Sequence, residues 1–268
     1  MAGGSSSTDR INPIPRPWPG YGIARVPQWN IAVGNFFFKY RNAVFPLLFA
    51  LAVVVWRPRI LFAHPTLDHA LAVCGALTAL LGQGVRLATI GYEYIERGGK
   101  AGKVYASHLV QGGVYAMTRN PMYVGNGLIA IGITLVAGAP VIYLVVLPFF
   151  LFVYHAIIAA EEVYLRRQFG AAYDEYCARV NRFLPALGRI PQVLAGVPYD
   201  WKRAIRKELS TLTGLLLGLI LLPVWRRLWL EGWASVSATL PRTIVWVLGV
   251  LSLYGIAVYL KHHRKVFY

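Results

Sequence analysis

Two short clusters of polar side chains stand against long apolar runs. The first is TRNPMYVG at residues 118–125, which sets Arg119, Asn120 and Tyr123 at the start of a run, with Gly112, Gly113 and Tyr115 just ahead of it. Pro121 restricts Asn120 to extended backbone and suits the first position of a helix, so a helix opens there. Its free backbone N–H groups and the Arg119 guanidinium suit a carboxylate or a phosphate. The second cluster, HAIIAAEEVYLRRQFG at 155–170, ends an apolar run on Glu161 and Glu162. A carboxylate pair at the edge of hydrocarbon must face protein, water or a cation. It suits an ammonium group or ribose hydroxyls; the plain alternative is pairing with Arg166 or Arg167 one helical turn on. A ligand with an amino-acid end would satisfy both clusters.

His155 lies seven residues, two helical turns, before Glu162 and so on nearly the same face. It could orient an acceptor or take a proton, or be a satisfied intramembrane histidine; the sequence leaves both open. Beyond the carboxylates, Leu165, Phe169, Tyr173, Tyr176, Val180 and Leu184 recur at helical spacing with charges between them. This predicts an amphipathic interfacial helix with a break at Gly170. Tyr173 and Tyr176 are candidates for ligand contact, against the ordinary reading of core packing, and His108 and Tyr92 flank the same region.

Membrane-spanning elements are expected to position these clusters. Of 268 residues 57% are hydrophobic, and the mean hydropathy is positive, as in polytopic membrane proteins. Apolar runs near 42–56, 69–90, 122–138, 140–159, 209–225 and 243–260 predict an all-α fold of six transmembrane helices. The first is short between Arg41 and Arg57, and either extends backward through Phe36, Phe37 and Phe38 or lies at the interface. With the N-terminus inside, 21 of the 27 Lys and Arg residues fall in inner segments and 5 in outer loops, with Arg86 near the inner end of the second span. Both termini are therefore expected in the cytosol, at the inner membrane of a bacterium or the endoplasmic reticulum of a eukaryote. A Gly138-Ala139-Pro140 turn joins the third and fourth spans as a tight hairpin, which returns both polar clusters to one face.

The organisation that follows is a disordered or extended Pro-rich tail (1–30), two spans with their loop (31–104), a core bearing both clusters (105–190), and a basic linker with two further spans (191–268). Within the last region, 196–208 reads as an interfacial helix whose Tyr199, Trp201 and Arg203 could cover a cavity or meet headgroups. Gly214 and Gly218 form a GxxxG for helix packing within the chain or for dimerisation. The net charge of +16 gathers at span ends without interleaved aromatics, which makes membrane lipids the expected partners and nucleic acid not one. Two distant cysteines imply no disulfide framework, and six histidines without dense spacing exclude a di-metal lipid oxygenase, so no metal is expected.

LVQGGVYAMTRNPMYVG (109–125) followed by EEVYLRRQFGAAYDEYCARVNRFLP (161–185) resembles the bipartite signature of the isoprenylcysteine carboxyl methyltransferase and phospholipid methyltransferase superfamily. The resemblance covers about 105–190. It implies S-adenosyl-L-methionine as cofactor, with Tyr115, Arg119, Asn120, Pro121 and Tyr123 on one wall and Glu161 and Glu162 on the other. Arg119, Glu162 and His155 are the residues expected at the chemistry. The acceptor it implies is lipidic or a small hydrophobic molecule: a prenylcysteine carboxylate, a phospholipid amine or a thiol. Two departures from the pattern stand out: Asn120 where a histidine is usual, which removes a titratable group, and Asn181 where a proline is usual. Against this reading stand an NADPH-dependent reductase of the related sterol reductase type and a non-enzymatic scaffold or transporter.

Overall fold

The computed structural model describes residues 27–60, 64–93, 108–196 and 198–263. Of the expected tail, residues 1–26 lie outside these, and helix begins at Gln28. All regular structure among the described residues is helical: α1 (Gln28–Val55), α2 (Pro65–Tyr92), α3 (Pro121–Ala137), α4 (Leu147–Phe169), α5 (Ala171–Arg179), α6 (Ile190–Gly196), α7 (Trp201–Glu231) and α8 (Trp233–His263), with short 3-10 turns at Gly113–Ala116 and Leu187–Arg189. A π-turn at Ile142–Val146 leads directly into α4.

The fold is that of a polytopic helical membrane protein. By length and composition α2, Ile142–Phe169, α7 and α8 can each cross a membrane. The two halves of α1, bent by 79° between Arg41 and Ala43, pass the same test together. The bend has a covalent cause, because Pro46 has no N–H for the carbonyl of residue 42 and its ring crowds that carbonyl. Helix α3, with 17 residues, is only about 26 Å long at 1.5 Å per residue and does not pass, so among the described residues four helices, or five with the bent α1, are long and apolar enough to cross where six were expected.

The expected tight hairpin is corrected. Helix α3 packs chiefly on α2, and α4 chiefly on α1. Small residues draw each partner in: a Cβ on Gly132 would stand 2.4 Å from the Gly75 carbonyl oxygen, and one on Gly34 of α1 would stand 2.2 Å from that of Ala156 in α4. Around Gly34 an aromatic cluster of Phe38, Phe45, Phe150 and Tyr154 completes the α1–α4 contact. The hairpin therefore splays, and a cavity of about 870 Å³ lies among α1, α3, α4 and α7.

The separate interfacial helix expected at 196–208 and the outer loop expected between the apolar runs 209–225 and 243–260 are corrected as well. Helix α7 runs unbroken through both boundaries to Glu231, and only Gly232, at φ +83°, separates it from α8. Two ion pairs tie α7 to the antiparallel α2. Arg86 grips Glu208 through Nε and Nη2 at 2.7 and 2.6 Å, and Arg226 pairs with Asp68. On each helix the two ionic residues are eighteen positions apart, about 27 Å at 1.5 Å per residue, so the pairs fix one register at both ends.

Candidate functional site

The two sequence clusters meet at one end of the bundle. Residues 117–120 run alongside 181–186: Arg119 N–H donates to the Asn181 carbonyl at 2.9 Å, and Ala186 N–H donates to that of Met117 at 3.0 Å. Asn120 Nδ2 donates to the Arg182 carbonyl at 3.1 Å. Both departures from the family pattern, Asn120 and Asn181, thus lie in one contact. The left-handed φ of +50° at Gly113 and +52° at Gly170 explains the glycines that start the 3-10 turn and break α4 from α5.

Behind this contact Tyr115, Tyr173 and Tyr176 are 2%, 1% and 1% exposed, and the Tyr176 hydroxyl donates to the Tyr115 carbonyl at 2.8 Å. Leu165, Tyr173, Tyr176 and Val180 share one buried cluster, as the helical spacing predicts, whereas Leu184 lies beyond the helix end and is exposed. These tyrosines hold the two halves of the site together, as does the buried Asn120 through its bond to Arg182; Pro121 is buried as well. Burial, with Glu162 and Cys177 nearby, raises the Tyr173 pKa above the usual phenol value and keeps it neutral.

Glu161 and Glu162 face different neighbours, about 100° apart around α4. Glu162 is held by Arg182, from Nε to Oε1 at 3.0 Å and from Nη2 to Oε2 at 2.9 Å, and Arg119 Nη1 stands 3.8 Å from Oε1. Arg119 and Glu162, expected on opposite walls, are therefore an ion pair. Arg119 also donates to the Cys177 sulfur, and its buried Nε makes no hydrogen bond. Desolvation lowers the Arg119 pKa, but Cys177 and Glu162 outweigh it and the net shift is upward. The plain reading of pairing with Arg166 is not realised, since Arg166 bonds Asp174 at 2.7 Å.

Glu161, 3% exposed, instead turns into the cavity and accepts the Tyr123 hydroxyl hydrogen bond at 2.7 Å. Arg41 of α1 reaches the same hydroxyl at 3.4 Å. Tyr154, seven residues before Glu161, lines the same cavity wall, with Asn126, Arg86, Ser210 and Thr211 opposite. The structure does not bring His155 there: it is exposed and does not line the cavity. The seven-residue spacing is right, but the face that carries His155 and Glu162 is the neighbouring one.

Sequence reasoning missed Arg182, Arg41, Tyr154 and Asn126. Tyr154 could have been found as the heptad neighbour of Glu161, Asn126 as the residue one helical turn after Tyr123, and Arg182 lies within the second motif itself; Arg41 comes from an element distant in sequence and gives no local signal. Tyr199, Trp201 and Arg203 do not cover the cavity. Arg203 caps α2 by donating to the carbonyls of Ile90 and Gly91 at 2.8 and 2.9 Å, and the Tyr199 ring packs on Tyr92 at 5.1 Å. A Cβ at Gly214 would meet nothing within 4 Å and one at Gly218 only Ile133 of α3, at 3.5 Å, so the GxxxG seats no helix closely among the described residues.

The arrangement has a charged and hydrogen-bonding head, with Arg41, Arg86 and Glu161, at one end of an apolar cavity. Among known proteins, residues 71–172 match the model of the phospholipid methyltransferase family, one of the isoprenylcysteine and phospholipid methyltransferase group. The match runs from the first turns of α2 into α5, starting earlier than the motif resemblance and ending before Arg182. No curated protein and no solved structure matches the chain.

Proposed function

With residues 71–172 matching a membrane methyltransferase family, we propose that this protein transfers a methyl group from S-adenosyl-L-methionine to a lipidic or small hydrophobic acceptor at the inner face of a membrane. The observation that carries the reading is Glu161, a buried carboxylate fixed by Tyr123 at the polar end of an apolar cavity. The donor set suits a sulfonium amino acid nucleoside. Carboxylates at Glu161 and Glu162 suit its ammonium and ribose hydroxyls, and Arg119, with Nε free to donate, suits its carboxylate.

When bound, that cofactor supplies a methyl group already activated by the positive sulfur. What remains for the chain is to align the acceptor in line and to keep water out. Arg182 and Arg119 hold Glu162 in place, and Arg41 and Glu161 hold the Tyr123 hydroxyl from two sides. Phe45 and Phe150 wall the cavity beside this head with apolar surface. A carboxylate or thiolate acceptor needs no base at the transfer step, so the absence of a histidine at position 120 is consistent with the reading.

The test is calorimetric titration of S-adenosyl-L-methionine, and separately NADPH, into the purified protein in nanodiscs, beside Glu162→Gln. Transfer of labelled methyl from the donor to extracted lipids, prenylated thiols and small thiols is measured alongside. Saturable donor binding that weakens in the variant, with label in one acceptor class, is the expected result. Binding of NADPH instead, or no label in any class, overturns the reading.

A further inference from the structure

The family match ends at residue 172, yet one wall of the cavity comes from α7, through Ser210, Thr211, Gly214, Leu215, Gly218 and Leu222. Its polar residues, Ser210 and Thr211, stand at one end of this stretch, and its apolar ones follow along the helix. From Ser210 to Leu222 the wall is about 18 Å long at 1.5 Å per residue. Along that wall Gly214 and Gly218 offer bare backbone, and a Cβ at Gly214 would meet nothing within 4 Å, one at Gly218 only Ile133 at 3.5 Å. Glycine disfavours a helix interior, and at these two positions it brings little packing in return. The two glycines leave room in the cavity.

We propose that α7 is the acceptor-selecting wall, and that the missing side chains at Gly214 and Gly218 admit one elongated apolar chain whose polar end reaches Tyr123 and Glu161. An amphipathic occupant follows from the cavity itself: Arg41, Tyr123, Asn126 and Glu161 at one end and Phe49, Ile133, Val146 and Leu222 at the other. That the occupant is the methyl acceptor rests on the methyl-transfer reading; that a chain enters here does not. The chain could be acyl or prenyl, which share this chemistry.

The experiment uses the full-length protein in nanodiscs with two photo-crosslinking probes, a diazirine-bearing acyl lysophospholipid and a diazirine-bearing farnesylcysteine. Gly214→Leu, Gly218→Leu and the double variant are compared with Gly249→Leu, which sits on α8, also in open space and outside the cavity. Donor binding by calorimetry reports folding and the polar site. The expected result is crosslinking of one probe to α1, α3 or α7 residues of the cavity, reduced about tenfold or more by the α7 variants, since apolar area can no longer be buried there. Gly249→Leu keeps it, and donor affinity is unchanged throughout. Crosslinking in the wild type that survives the α7 variants, that falls equally in Gly249→Leu, or that never reaches the cavity overturns the proposal. Chain capture sensitive to the α7 variants in a protein that binds no donor would uphold the chain site and sink the methyl-transfer reading.

Discussion

Glu161 and Glu162 are adjacent in the chain but bonded to different things, because consecutive helical residues point about 100° apart. Glu162 is clamped by Arg182 in a pair with both side chains mostly shielded, so Arg182→Ala leaves a partly buried carboxylate with Arg119 alone. That variant is expected to weaken donor affinity by about tenfold, as one charge-assisted pair of 1–2 kcal/mol would, read by the same calorimetry. Tyr123→Phe removes the hydrogen bond that fixes Glu161. Labelled methyl transfer is expected to fall while the unfolding midpoint moves little, because one hydrogen bond contributes about 1 kcal/mol to stability. His155→Ala is expected to leave methyl transfer within about twofold of wild type, since the side chain lies outside the cavity; a loss of a hundredfold would restore it to the site.

At the scale of the helices, glycine positions separate into those that seat a partner and those that do not. At Gly132 an added Cβ would collide with the backbone of α2 at 2.4 Å, while at Gly127 nothing lies within 4 Å. Gly132→Val is therefore expected to destabilise by about 1–3 kcal/mol or more, through forced separation of α2 and α3. Gly127→Ala, in contrast, should stabilise by up to about 1 kcal/mol through helix propensity. Thermal unfolding in detergent, followed by helical signal, compares the two, and equal effects would mean α3 does not pack on α2 as described.

For the molecule as a whole, the paired clamps between α2 and α7 set how the family-matched core meets the last two helices. Glu208 is 2% exposed and holds Arg86 and Gln83. Glu208→Ala strands a buried guanidinium and should cost about 3–5 kcal/mol. At the other end, Asp68→Ala and Arg226→Ala are each expected to cost more singly than the difference between either single variant and the double, because the double removes both charges. A double-mutant cycle on unfolding free energy measures that coupling, and simple additivity would mean the pair does not hold the register.

The sequence by itself determined the all-helical membrane class, the apolar segments, the break at Gly170 and the meeting of the two motifs, because those follow from hydropathy, backbone chemistry and the even number of crossings between the motifs. It also carried Arg119, Tyr123, Glu161 and Glu162. Only the tertiary structure decided which partners they have. The hairpin splays because Gly75 and Gly132 draw α3 to α2 while Gly34 draws α1 to α4, and neither choice is visible in one helix alone. The same packing turned Glu161 inward, left His155 outside, set Arg182 against Glu162 and placed the bare face of α7 along the cavity. Periodicity fixes which residues share a face; what that face meets depends on contacts between segments far apart in the chain.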